Sequence, residues 1–344
     1  MVSIADDLTV IIPAYNEAAS VADTIKSAQR QTTPPAHILV VDDCSTDGTG
    51  DVARELGVTV LRPPQNTGSK AGAQNFALRG VTTRYTMAID ADTTLAPDAL
   101  EKLLPPLLDE SVAAVCGFVL PRFVDTLWER GRYIEYLLAF TFYKPIQDHY
   151  GKPLISSGCF SAYNTRKLTG QGGWSTRTLA EDMDLTWTFY QAGYRVRFVP
   201  EAVCYPIEPH DFGFMSKQLR RWSHGFVQNV RLHWHGILRM QLLSTLVGVA
   251  MWDAVVATIV YLIALPVLAL VLWNPLWLLG FLIDAPALLV PLMAKAIERR
   301  EVGRMLLSLP AFFVLRLVNG LFLLRALFAE LVLRKPLLVY EKGH

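Results

Sequence analysis

The 344-residue sequence predicts an α/β head built on a mostly parallel sheet, followed by a transmembrane helical region. Three observations predict it. Strand-length apolar runs alternate with helical periodicity through the first ninety residues, the pattern of a parallel sheet with helices on both faces. Two acidic pairs, Asp42-Asp43 and Asp90-Ala91-Asp92, end the second and fourth of those runs. From Leu242 to Ala294 the only charged side chains are Asp253 and Asp284. With 52% hydrophobic and 18% charged residues and a mean hydropathy of +0.29, the chain is too apolar for an ordinary soluble protein and excludes a disordered one. A net charge of +1 argues against a polyanion binder driven by bulk charge, so no nucleic acid is expected as partner.

The elements follow in order. Leu8–Pro13 reads as a strand, Glu17–Gln31 as a helix, and His37–Val41 as a second strand running into Asp42-Asp43. Ser45-Thr46-Asp47-Gly48 supplies turn and capping chemistry for a helix through Leu56. Val58–Leu61 is a third strand, Lys70–Leu78 a helix, and Arg84–Ile89 a fourth strand that enters Asp90-Ala91-Asp92. Trp128–Tyr143, rich in aromatics and carrying Arg130, Arg132 and Glu135, reads as an amphipathic helix against a membrane or a helical bundle. Three regions result: residues 1–212 form the head, 213–241 an interfacial helix, and 242–344 a membrane region of two to three helices.

A bilayer core needs about 20 apolar residues per helix. Leu246–Leu272 and Leu276–Ala294 meet that length. Met305–Leu333 is long enough but carries Arg316, Arg325 and Glu330, and such charges are costly in lipid unless they face protein or water, so it either spans or lies in the interface. Met1–Asp7 has two aspartates and no basic n-region, so export of the head is not expected. Arg231 and Arg239 precede the first stretch, and Lys295, Arg299, Arg300 and Arg304 follow the second, while the turn Trp273–Pro275 is uncharged. The positive-inside rule then predicts a multi-pass plasma-membrane protein with a cytosolic head. Reduced thiols are expected for Cys44, Cys116, Cys159 and Cys204, which show no CxxC spacing, and no HExxH pattern supports zinc.

Ligands of such sheets bind beyond the carboxyl ends of the strands, where both acidic pairs fall. The chain has neither G-x-G-x-x-G after its first strand nor a Walker loop, so glycine-rich cradling of phosphate is not its strategy. A bound phosphate would need a cation held by carboxylates. Asp-x-Asp at a strand end suits Mg2+ or Mn2+, which favour oxygen ligands.

Six motifs stand in one order: Ile12-Pro13-Ala14-Tyr15-Asn16-Glu17, Val41-Asp42-Asp43-Cys44-Ser45-Thr46-Asp47, Asn66-Thr67-Gly68-Ser69-Lys70-Ala71-Gly72-Ala73-Gln74-Asn75, Asp90-Ala91-Asp92, Glu181-Asp182, and Gln218-Leu219-Arg220-Arg221-Trp222. In this the chain resembles the family-2 inverting glycosyltransferases, in particular the membrane-integrated branch of cellulose, chitin, hyaluronan and poly-N-acetylglucosamine synthases. The resemblance implies a Rossmann-like nucleotide-sugar-binding domain of the GT-A type, a nucleotide-diphosphate-sugar donor (a UDP-sugar foremost), a divalent metal, and inversion at the anomeric carbon. It implies that Ala14, Tyr15 and Glu17 surround the nucleoside, that Asp43 lies near the base, and that Lys70 approaches the base or diphosphate. Asp90 contacts the nucleotide and, with Asp92, supplies the metal site. Asp182 matches the position of the general base, and a partly buried carboxylate between other acids suits that work.

Glu181 and Asp184 read as charges favouring a helix N-terminus. Gln218, Arg221 and Trp222, at i, i+3 and i+4, share a helical face. Arg221 and Gln218 can offset charge on the leaving diphosphate, and Trp222 offers a flat surface to an acceptor sugar. Ser157-Gly158-Cys159-Phe160 resembles the segment lining the acceptor end of the site, which assigns Gly158 and Cys159 there. Relatives that secrete polymers usually carry more membrane helices. Either copies of this chain assemble into a homo-oligomer, or no long polymer is secreted. The expected function is transfer of a sugar to the hydroxyl of a growing glycan at the cytosolic membrane face. The alternatives are a non-processive transferase acting on a membrane lipid and a non-catalytic scaffold, against which the intact acidic set argues.

Overall fold

The computed structural model describes residues 4–252, 258–283 and 285–337, so Asp253 and Asp284 lie outside the described residues. In chain order the elements are β1 (Leu8–Ala14), α1 (Val21–Gln29), β2 (His37–Asp42), α2 (Thr49–Glu55), β3 (Thr59–Leu61), α3 (Lys70–Leu78), β4 (Tyr85–Ile89), β5 (Thr93–Leu95), α4 (Ala99–Leu103) and β6 (Val112–Val119). They continue with α5 (Leu127–Leu138), α6 (Lys144–His149), β7 (Phe160–Asn164), α7 (Thr165–Gly170), α8 (Glu181–Gln191), β8 (Arg195–Pro206) and α9 (Phe212–Arg239). The last are α10 (Gln241–Met251), α11 (Leu265–Val271), α12 (Ala285–Glu298) and α13 (Val302–Leu327). The polypeptide packs as two units, residues 1–122 with 144–207, and residues 123–143 with 208–344.

The first unit holds one eight-stranded sheet in the order β3-β2-β1-β4-β7-β6-β8-β5. The four strands read from the sequence form its parallel half. The sheet is mostly parallel, as expected, since six of its eight strands point the same way, but β5 and β7 are reversed, which the sequence reading did not foresee. β7 runs antiparallel to both β4 and β6, and β5 antiparallel to β8, while β6 and β8 are parallel. The physical reason is that a strand buried on both faces carries the same apolar run in either direction. β6, every residue of which is buried, shows no sign of its orientation in its sequence. The core beneath the sheet contains Trp174, Trp187, Tyr163 and Phe189, all with next to no exposure.

In the second unit α5 opens with a capping box. Glu129 N–H donates to Thr126 Oγ1 at 3.3 Å, and Thr126 N–H donates back to Glu129 Oε2 at 2.9 Å. This helix, read from sequence as amphipathic, packs against α13. The approach is close at Gly131: a methyl group there would lie 2.9 Å from the carbonyl oxygen of Ala311 and from Leu315 Cβ. Met215 and Leu219 of α9 bury themselves with Leu315 of α13.

The C-terminal region departs from the predicted spans. Leu276–Ala294 is not one helix: residues 275–282 form a 3₁₀ stretch, and α12 begins only at Ala285. Pro275 and Pro286 account for this, since each lacks an N–H and crowds the preceding turn, whereas Pro291 is accommodated inside α12. Part of Leu246–Leu272 lies outside the described residues. The third stretch, whose charges left it open, is continuous. Val302–Val332, 31 residues long, is the one helix among the described residues with the length and apolarity to cross a membrane. Two of its charges, Arg316 and Glu330, meet protein groups, while Arg325 is exposed. The Arg316 guanidinium lies 5.2 Å from the centre of the Tyr261 ring, and the buried Glu330 carboxylate sits 2.8 Å from His224 Nδ1.

Candidate active site

In the first unit two loops leave the carboxyl ends of β1 and β2 and lace together. Asn16 N–H donates to Ser45 Oγ at 3.0 Å, Thr46 N–H to Asn16 Oδ1 at 2.9 Å, and Glu17 N–H to Thr49 Oγ1 at 2.8 Å. Asn16 and Cys44 take left-handed backbone, at φ of 55° and 66°, which turns each loop sharply. Ala14 is buried and its carbonyl accepts from Asp43 N–H at 2.8 Å. Glu17 is buried and accepts from Ser20 Oγ at 2.8 Å, whereas Tyr15 is exposed.

Asp43 is buried, and its two carboxylate oxygens accept from Thr67 N–H and Thr67 Oγ1, both at 2.8 Å. Its side chain thereby shapes the loop that delivers Lys70. Ser69 then caps α3, accepting from Gly72 N–H at 3.1 Å, which sets Lys70 at the first position of the helix.

Four sequence-distant segments meet there. Lys70 forms an ion pair with Asp90, donates to the Gly158 carbonyl at 3.0 Å, and lies 3.9 Å from Glu181 Oε1. The N–H of the same Gly158 donates to Asp182 Oδ2 at 2.8 Å, and Met183 N–H donates to Asp182 Oδ1 at 2.8 Å. Asp182 occupies the first turn of α8, where the exposed amides and the helix dipole favour a carboxylate. Thr186, one turn along, donates to the Asp182 carbonyl at 2.6 Å and accepts from Ser156 N–H at 2.9 Å, stitching the Ser156–Phe160 loop to the helix. Behind that loop the buried Lys144 donates to Ser157 Oγ at 2.7 Å. Cys159 is half-buried in it. Asp184, read only as a helix-terminus charge, is clasped bidentately by Arg177 at 2.8 and 2.7 Å. Glu181 instead joins the cluster.

Asp90 and Asp92 flank Ala91, which is buried and whose carbonyl accepts from Thr24 Oγ1 at 2.8 Å. The turn is thus anchored at its centre and both carboxylates stay half-exposed. No group of three or more His, Cys, Asp or Glu among the described residues forms a metal cage. Two half-exposed carboxylates do fit Mg2+ or Mn2+, hard cations that commonly bind through one or two protein carboxylates and complete their shell with phosphate oxygens and water.

The second unit carries Gln218, Arg221 and Trp222, all half-buried on α9. Around them is a group that sequence reading did not assign. Arg132 of α5 is fully buried, donates through Nη2 to Gln218 Oε1 at 2.6 Å, and lies 4.6 Å from the centre of the Trp222 ring. Its Nη1 pairs with Glu135, and its Nε lies 3.4 Å from Glu208 Oε2. Glu208 accepts from Tyr136 OH at 2.8 Å and from Gln218 Nε2 at 3.4 Å. Burial pushes the Glu208 carboxyl above its ordinary pKa, against the pull of Arg132, Tyr136 and Gln218. Burial opposes the Arg132 charge, but Glu135, Tyr136 and Glu208 outweigh it and hold the guanidinium above its ordinary pKa. The only sequence signal for Arg132 was a charge inside an apolar, aromatic helix.

Comparison with known proteins agrees with this geometry. The model of the family "Glycosyl transferase family 2" matches residues 9–169. Poly-beta-1,6-N-acetyl-D-glucosamine synthase of Staphylococcus aureus (strain COL) is 26% identical over 224 residues, 64% of this chain and 54% of that protein. The Staphylococcus epidermidis synthase of the same description is 26% identical over 225 residues. The chain thus spans about half the length of these curated relatives. Among solved structures, a mannosyltransferase from Pyrobaculum calidifontis in complex with GDP-Man and Mn2+ has a TM-score of 0.61 at 22% identity, covering 95% of this chain and 87% of that one. The fold is therefore that of a GT-A glycosyltransferase, and residues 9–169, which hold nearly all of β1 together with β2, β4, the Lys70 helix and the acidic turn, match the family-2 glycosyltransferase model.

Proposed function

We propose that the protein is a membrane-bound, metal-assisted inverting glycosyltransferase that moves a sugar from a nucleotide-diphosphate sugar to the hydroxyl of a growing glycan at the cytosolic membrane face. The observation that carries the reading is the junction at Gly158, where one peptide binds Lys70 through its carbonyl and Asp182 through its N–H while Lys70 also pairs with Asp90. A cation for a diphosphate and a carboxylate for an acceptor proton thus lie one peptide apart.

In this mechanism Ala14, Tyr15 and Glu17 flank the nucleoside, with Asp43 acting through the loop it holds. Lys70 faces the diphosphate. Asp90 and Asp92 would hold Mg2+ or Mn2+, which when bound neutralises diphosphate charge. Asp182 accepts the proton of the acceptor hydroxyl as its oxygen bonds to the anomeric carbon from the face opposite the departing diphosphate. The bond between the anomeric carbon and the phosphate oxygen breaks with its electron pair leaving on the nucleoside diphosphate, so configuration inverts. Gln218 and Arg221 offset that charge. Trp222, Gly158 and Cys159 serve the acceptor.

The glycan acceptor is supported by the curated poly-N-acetylglucosamine synthases. A lipid acceptor is the second reading, favoured by the exposed apolar run containing Leu270, Val271, Trp273, Leu276 and Ile283, which seeks lipid on the same chain. A bilayer partner and a plasma-membrane location are favoured by that run, by Val302–Val332, and by the basic residues Lys295, Arg299, Arg300 and Arg304. Asp182→Asn tests the core of the proposal. It should retain nucleotide binding by calorimetry while transfer falls by about 10²-fold or more; unchanged turnover would remove Asp182 from the role of base.

A further inference from the structure

We infer that Arg132 is a positioning residue for the Gln218-x-x-Arg221-Trp222 motif, orienting the Gln218 carboxamide and covering one face of Trp222, with Glu208 as its buried counter-charge. The inference rests on the transferase reading of that motif.

A fully buried guanidinium is costly unless it is paired and hydrogen-bonded, so its partners reveal what it is placed to hold. The side chain of Arg132 has no exposure, and Glu208 has 4%. The Gln218 amide sits between them, its oxygen accepting from Arg132 and its nitrogen donating toward Glu208. Both ends of the amide are thus oriented by charge. The planar guanidinium lies over the Trp222 ring at 4.6 Å, which fixes the orientation of the half-buried indole. Glu135, which pairs with Arg132, accepts from Asn319 Nδ2 of α13 at 2.9 Å, so the network is anchored in the apolar helix. Lysine cannot reproduce this arrangement, because a point charge on a flexible stem has neither the fork nor the plane.

The test uses the full-length protein in membranes, with UDP-N-acetylglucosamine and GDP-mannose as donor probes, nucleotide release as readout, and Tm followed alongside. Arg132→Lys should lower kcat by about 10-fold or more while donor KM moves less than about 3-fold, as expected for loss of an interaction made at the transition state. Glu208→Gln should move kcat in the same direction in a protein that still folds, because Glu135 remains paired with Arg132. The double variant Arg132→Lys/Gln218→Ala should be no more than about 2-fold worse than Gln218→Ala alone, because residues acting through one another are not additive. Losses that multiply in the double variant, full turnover in Arg132→Lys, or losses that track Tm in both single variants would each overturn the assignment. Full turnover in Gln218→Ala would instead overturn the reading of the motif, and the role of Arg132 with it.

Discussion

At Gly158 there is no room for a side chain. A methyl group would lie 2.8 Å from Asp182 Oδ2 and 3.2 Å from Lys70 Nζ, so the two charged groups can share this peptide only because the residue is glycine. Gly158→Ala should therefore push the Asp182 carboxylate or the Lys70 ammonium aside. Displacements of about 1 Å in a catalytic group cost up to about 10²-fold. Turnover should fall by about 10- to 100-fold with little change in far-UV circular dichroism, and wild-type kinetics in this variant would mean the junction is not catalytic. Sequence reading put Gly158 on the acceptor segment from its neighbours alone; its service to Lys70 and Asp182 depends on contacts 88 and 24 residues away along the chain.

Among the elements, local signals fared unevenly for identifiable reasons. α3 begins at Lys70 and ends at Leu78 as read, because Ser69 is a strong N-cap followed by helix-forming alanines. The predicted span Leu276–Ala294 failed because hydropathy counts apolar residues and is blind to the prolines among them. Met305–Leu333 was left open on account of Arg316, Arg325 and Glu330, and the partners of the first and last, Tyr261 and His224, lie in no window of sequence around them. The α5–α13 contact is equally non-local. Its close approach at Gly131 leads to a stability prediction: Gly131→Ala meets the Ala311 backbone oxygen, which cannot rotate away, and should destabilise the second unit by about 1–3 kcal/mol as overpacking does. A lowered Tm in detergent would check this, and an unchanged Tm would show that the helices can part without cost.

For the whole molecule, the question is what a unit with a long apolar helix and a domain of glycosyltransferase fold do on one chain. Membranes containing the protein, given radiolabelled UDP- and GDP-sugars with Mn2+, should yield a ladder of products if the acceptor is a growing glycan. A single chloroform-soluble product would support the lipid acceptor instead. Either product should vanish with EDTA and return with Mn2+ or Mg2+, given the Asp90–Asp92 pair; full synthesis in metal-free buffer would remove the cation from the proposal.

The sequence alone determined the strand-ending acidic pairs, the parallel half of the sheet, the capped Lys70 helix and the apolar character of the C-terminal third. All of these are written in short-range periodicity and capping chemistry. Tertiary structure decided the reversal of β5 and β7, the meeting of Lys70, Asp90, Gly158 and Asp182, and the buried Arg132–Glu208 pair around Gln218. The physical reason is that strand direction and the partner of a buried charge are set by which surfaces must be excluded from water together, and residues far apart in the chain make that choice jointly.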